Sequence, residues 1–232
     1  MLEVALTGCR YSGKSSVSKL FKKIGAPVFD SDTIIKFILN FRTYVEEPIK
    51  ANVGTFVYTG GFLDASAFVT DSIFDRTIDV IEFEVFQAWE SFKQKHKDKP
   101  YVIFESSILF ERKWEKKFDK VISVFAPKEE RVYRAKMDTG MRVDYIWSLL
   151  DKEIQDLEKN SQSHYIIHNY ENGPDILRQI DHIDTKLIDM YIEDLKRKEG
   201  VKKTKVSKNV TLYEKEENIF NSLVSQNMKF LQ

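Results

Sequence analysis

Gly8-Cys9-Arg10-Tyr11-Ser12-Gly13-Lys14-Ser15 is the stretch on which the fold of this chain turns. Its spacing is Gly-x-x-x-x-Gly-Lys-Ser, the pattern of a loop (the P-loop) that cradles phosphate groups. The glycines accept backbone angles that turn successive amide N–H groups towards a polyphosphate. Lys14 reaches the β/γ-phosphates, and the Ser15 hydroxyl suits a Mg²⁺ ion. The flanks agree. Leu2-Glu3-Val4-Ala5-Leu6-Thr7 is a short apolar run of strand character, and after Ser16 the residues Val17, Leu20, Phe21 and Ile24 recur at helical spacing. A strand, a glycine turn and a helix N-terminus make an anion site, because unsatisfied N–H groups and the helix dipole point at the ligand. The nucleotide-contacting set is therefore read as Gly8, Cys9, Arg10, Tyr11, Ser12, Gly13, Lys14, Ser15 and Ser16.

A chain of 232 residues, 42% hydrophobic and 13% aromatic, suits one α/β domain with a tail. Its 36 basic and 36 acidic side chains cancel, so no global basic field invites nucleic acid. The single cysteine, Cys9, allows no internal disulfide and no metal-ligand spacing, which fits a reducing compartment. The chain enters a strand at once with no signal peptide, and no apolar run approaches the ~20 residues that cross a bilayer. The expectation is a cytoplasmic protein that binds neither membrane nor nucleic acid.

Gly25 reads as the stop of the first helix, and Pro27 to Asp30 as a short buried strand ending in carboxylates. Residues 33–40 are helical, residues 41–64 less regular with a turn at Gly60-Gly61, and residues 65–97 helical again, as two helices. Ile73, Phe74, Ile78, Ile81, Val85 and Trp89 form a stripe there that reads as packing. Further strands are expected over 100–105, 119–125 and 164–169, and Asn172-Gly173-Pro174 opens a long helix to about Lys198. Strands alternating with helices predict a three-layer α/β/α fold on a five-stranded parallel sheet. Residues 1–198 make this domain. Residues 199–232 read as a basic linker and an amphipathic helix over 212–231, carrying Leu212, Ile219, Phe220, Leu223, Val224, Met228 and Leu231. That helix docks on the core or serves a partner or a second copy.

Phosphoryl transfer is mostly positioning and charge neutralisation. Past the second strand, one of Asp30 and Ser31 caps the next helix, while Asp32 is placed to take an acceptor proton or to hold Mg²⁺. Glu105 ends the third strand as either a metal-side carboxylate or a surface one. Glu111 faces an acceptor or solvent. Arg131, Arg134 and Arg142 surround Asp138-Thr139-Gly140 in the layout of a mobile lid over about 134–146. Arg134 is assigned to the nucleotide and Arg142 to catalysis, ordinary surface ion pairs being the competing reading. His164 and His168 are read as structural, and Asn169 as a contact to the base or the start of a turn. These residues suit an ATP-dependent small-molecule kinase, a (deoxy)nucleoside monophosphate kinase, or an inactive nucleotide-binding module acting through its C-terminal helix.

The chain resembles the dephospho-CoA kinase family. The likeness is carried by Val4 to Val17, by Gly25-Ala26-Pro27-Val28-Phe29-Asp30-Ser31-Asp32, by Tyr101-Val102-Ile103 through Ile108-Leu109-Phe110-Glu111, and by Ile166-Ile167-His168-Asn169. It implies ATP as donor with Mg²⁺, and dephospho-CoA as the small-molecule acceptor, phosphorylated on its ribose 3′-hydroxyl to give coenzyme A. It also implies that residues 65–97 form a helical acceptor region. Asp32 matches the family's proposed catalytic base, Lys14 and Ser15 its phosphate and Mg²⁺ residues. Three segments depart from the family pattern: Cys9-Arg10-Tyr11, Phe86-Gln87-Ala88 without the usual His-Pro pair, and Glu105-Ser106-Ser107-Ile108-Leu109.

Overall fold

Each long strand of the sheet is buried on both faces, and that decides the architecture. The computed structural model describes residues 1–59, 62–63, 71–152, 154 and 156–198. In chain order, β1 (Leu2–Gly8) leads through the phosphate loop into α1 (Lys14–Lys23). Then come β2 (Val28–Asp30), α2 (Ser31–Phe41), α3 (Glu46–Val53), the short strands β3 (Tyr58–Thr59) and β4 (Phe62–Leu63), and α4 (Asp71–Lys95). The second half holds β5 (Tyr101–Glu105), β6 (Lys120–Phe125), α5 (Lys128–Thr139), α6 (Val143–Leu150), α7 (Asp156–Ser161), β7 (Tyr165–His168) and α8 (Ile176–Lys198).

Five strands pair in the order β2-β5-β1-β6-β7, all parallel, while β3 and β4 form a separate antiparallel ribbon. The register places Asp30 beside Glu105 and Glu105 beside Leu6, so β2 and β5 end level, and β1 runs two residues further to Gly8. Ligands of open parallel sheets bind beyond those carboxyl ends.

Successive side chains of a strand point to opposite faces. Ala5, Phe29, Val102, Phe104 and Val121 face a core closed by α2, α3 and α4. Val4, Leu6, Val28, Tyr101, Ile103, Ile122 and Val124 face a second core closed by α1 and α8. The first core is aromatic: the Phe104 ring lies 5.0 Å from Phe118, 5.3 Å from Trp89 and 5.4 Å from Phe29, centroid to centroid. Edge and stacked contacts of this kind add to the stabilisation from burial.

The expected three-layer fold is present, with differences at element ends. Residues 71–95 form one continuous helix, with no glycine or proline to interrupt it, while residues 65–70 of the expected helical stretch lie outside the described residues. Its buried stripe runs through Ile78, Ile81, Val85 and Trp89. The irregular stretch after residue 41 contains α3. Helix α2 starts at Ser31 rather than residue 33 because Asp30 caps it, its side chain accepting from Thr33 N. Helix α8 starts at Ile176, where Asp175 Oδ1 accepts from Leu177 N at 2.8 Å. The Gly60-Gly61 turn and the 199–232 linker and helix lie outside the described residues. Among the described residues no helix is long and apolar enough to cross a membrane.

Phe104 is fully buried at the centre of the aromatic core. Phe104→Ala is expected to cost about 3–5 kcal/mol, measured by denaturant unfolding.

Candidate active site

The loop between β1 and α1 is shaped by its two glycines. At Gly8 a Cβ would lie 2.6 Å from both Ser12 Oγ and the Val124 carbonyl. Gly13 takes φ +89°, and a Cβ there would stand 2.0 Å from Asn169 Nδ2. Gly13 is also the N-cap of α1, whose first turn carries no acidic residue. The positive end of the helix is thus open to an anion.

Three acidic and basic side chains meet in front of this loop. Lys14 Nζ lies 3.0 Å from Asp32 Oδ2 and 3.2 Å from Glu105 Oε1. Ser15 donates its hydroxyl to the same Glu105 oxygen at 3.1 Å. The other oxygen of Asp32 accepts the Ser107 amide at 3.1 Å. Asp30 is the capping residue, with Oδ1 on Thr33 N and Oδ2 on Thr33 Oγ1, and Asp32 is left to face Lys14. Glu105 is 3% exposed and belongs to the site, not to the surface. Burial alone would lower the Lys14 pKa, but the two carboxylates outweigh it and hold the ammonium above its ordinary value.

The loop is gripped from the opposite side by α5. Arg134 Nη1 donates to the carbonyls of Tyr11 at 3.2 Å and Ser12 at 3.1 Å. Its Nη2 donates to the Asn169 carbonyl at 2.8 Å, and Asn169 Nδ2 donates to Ser12 O at 2.7 Å. Arg131 is buried, donating to the Arg10 carbonyl at 3.4 Å and to Asp156 Oδ2 at 2.7 Å. The carbonyls of Arg10, Tyr11 and Ser12 are thus all bound by side chains from outside the loop.

Arg142 is not drawn into this group. It lies just past Gly140, which ends α5, and immediately before α6. Its side chain is 85% exposed and pairs with Asp144. Helix, glycine and helix follow one another here, α5 closing at Gly140 and α6 opening at Val143. His164 Nδ1 accepts the Val121 amide at 3.1 Å and so serves the sheet edge, as its reading implied.

Lys159 was not legible as a site residue. It is fully buried and donates to Glu111 Oε1 at 2.7 Å, so Glu111 faces a lysine rather than acceptor or solvent alone. A lysine between Glu158 and Asn160 reads as surface, whereas α7 packs against β6 and the side chain is buried on Glu111. Cys9 also sits in this layer, with Sγ 3.5 Å from the Ile154 carbonyl. Burial first, and then Asp156, push its thiol up from 9.0 to about 12, against the pull of Lys159 and Arg131.

The sequence profile of the dephospho-CoA kinase (CoaE) family matches residues 2–175. The chain belongs to the dephospho-CoA kinase family. The match takes in the loop, Asp32, Glu105, both α5 arginines and Asn169. A Novosphingobium aromaticivorans dephospho-CoA kinase is 28% identical over 168 residues, covering 71% of this chain and 84% of its own length. A Porphyromonas gingivalis dephospho-CoA kinase is 27% identical over 198 residues, covering 80% and 96%. Among solved structures, Thermus thermophilus TT1252 superposes with a TM-score of 0.67 at 24% identity, covering 82% of this chain and 97% of its own. Dephospho-CoA kinase from Campylobacter jejuni gives 0.57 at 16%, covering 81% and 98%. At these identities the structural likeness bears on fold alone.

A thiol held near pKa 12 instead of 9.0 has about 10³-fold less thiolate at neutral pH. Cys9 in the folded protein is expected to resist iodoacetamide at pH 8, and to react at once in denaturant. The folded thiol keeps a proton that the unfolded one loses between pH 9.0 and about 12, so stability is expected to fall across that window. Lys14, raised above 10.5, loses its contribution in the same direction at the upper end. Urea midpoints measured from pH 8 to 11 would check the trend.

Proposed function

We propose that this protein transfers the γ-phosphoryl group of ATP to the ribose 3′-hydroxyl of dephospho-CoA, giving coenzyme A and ADP. The observation that carries the reading is Asp32, held between the Lys14 ammonium and the Ser107 amide at the mouth of the phosphate loop. The loop N–H groups and the α1 N-terminus receive the β- and γ-phosphates. Lys14 then turns from its two carboxylates to the phosphate oxygens, which frees Asp32 to accept the acceptor proton. The acceptor oxygen forms its bond to the γ-phosphorus as the bond to the β-bridging oxygen breaks, and ADP leaves with that electron pair.

Mg²⁺ suits the residues present. Ser15 Oγ and the Asp32 carboxylate are hard oxygen donors close to Lys14, and Glu105 stands beside them. Mg²⁺ sites often use one or two carboxylates with waters and substrate phosphates completing the shell. In this reading Ser15 and one oxygen of Asp32 would hold the ion, leaving the other Asp32 oxygen for the proton, and the bound ion would supply neutralisation of phosphate charge. Arg134 and Asn169 flank the nucleotide through the loop backbone. Arg142, exposed at the start of α6, moves over the phosphates when the lid closes. The acceptor lies against the helical region of α2 to α4. A cytoplasmic location agrees with a buried, reduced Cys9.

Labelled ATP offered with dephospho-CoA and with a panel of nucleoside monophosphates tests the acceptor. Label on dephospho-CoA alone is the expected outcome, and label on a nucleoside monophosphate alone would reassign the enzyme. Asp32→Asn is expected to cut turnover ~10²-fold or more while ATP affinity changes little. Unchanged turnover in that variant removes Asp32 from the proton transfer.

A further inference from the structure

Tyr11 occupies the phosphate loop at φ +61°, and it is one of three non-glycine residues with positive φ among those described. An L-residue is disfavoured there by contact between its Cβ and the following carbonyl. Such a conformation persists where the surroundings hold it. Two contacts hold Tyr11. Its carbonyl accepts from Arg134 Nη1 at 3.2 Å. Its half-buried side chain packs against a small apolar cluster of Val132, Ala135, Ile146 and Leu150.

That cluster is separate from both sheet cores. Val132 and Ala135 come from α5, Ile146 and Leu150 from α6, the two helices that meet around Gly140. The side chain of a phosphate-loop residue therefore completes the packing of the lid. Its backbone meanwhile forms part of the cradle.

We propose that Tyr11 is a positioning residue that couples the phosphate loop to the lid. Phosphate on the loop N–H groups fixes the Tyr11 backbone, the backbone fixes the ring, and the ring fixes α6 with Arg142 at its start. The coupling is reciprocal, so an ordered lid tightens ATP binding. The inference rests on the reading of the loop as the ATP site.

The test uses the full chain as wild type, Tyr11→Phe, Tyr11→Gly and Val132→Ala, followed by hydrogen exchange with and without ATP. In the wild type, ATP is expected to slow exchange over residues 8–16 and also over 143–150. Tyr11→Phe keeps both effects because the ring still packs. Tyr11→Gly keeps the effect at 8–16 and loses it at 143–150, with the KM for ATP raised ~5-fold or more. Val132→Ala loosens the same cluster from the lid side and should raise the KM for ATP although it touches no phosphate. Lid slowing retained in Tyr11→Gly, or lost equally in Tyr11→Phe, overturns the proposal. So does an unchanged KM in a Val132→Ala variant whose Tm has fallen. Slowing confined to 8–16 in the wild type removes the coupling alone, and no slowing there removes the ATP site with it.

Discussion

One ammonium group between two carboxylates ties together the ends of three strands. Lys14 follows β1, Asp32 follows β2 and Glu105 ends β5. Removing one partner of a mostly buried pair leaves a charge without compensation, which is far costlier than never building the pair. The three residues are therefore mutually dependent, and the register of β2, β5 and β1 serves to bring them level. The same arrangement keeps Lys14 protonated at the start of α1, beside the phosphate loop.

The sheet makes this affordable because it is rigid. Phe104 sits one residue before Glu105, inside a cage of Phe29, Phe86, Trp89, Trp114 and Phe118. Close-packed rings transmit little slack. Strand β5 therefore delivers Glu105 to a fixed point, and the Ser107 amide, two residues on, to Asp32. Helices α5 and α6 are joined differently, by a small apolar cluster, the Gly140 junction, and Lys128, which pairs with Asp151 and lies over the Trp147 ring.

Much of this was legible in the sequence, for physical reasons. Strands buried on both faces read as apolar runs, so the five parallel strands could be placed within a residue or two. The phosphate loop was legible because its chemistry constrains the spacing of Gly8, Gly13, Lys14 and Ser15. What was not legible depends on tertiary approach. Glu105 could not be told from a surface carboxylate, because nothing local says that Lys14 comes within 3.2 Å. Lys159 looked like one more solvated lysine. Of the two helices expected over 65–97, the described part is the single α4 over 71–95, residues 65–70 lying outside the described residues. Arg134 was read as a nucleotide residue, and its hold on backbone carbonyls of the loop is a contact that no side-chain pattern announces.

Asp30 and Asp32 stand two residues apart at the start of α2, and a helix turns about 100° per residue. The capping carboxylate turns onto the first turn of the helix at Thr33, while Asp32, inside that turn, faces Lys14. Asp30 works as an angular stop: by pinning Thr33, it sets the rotation at which Asp32 emerges. An inserted or deleted residue between them would break the Asp30–Thr33 spacing and so remove the cap together with the placement of Asp32. The pair thus behaves like a key and its collar, one carboxylate indexing the other.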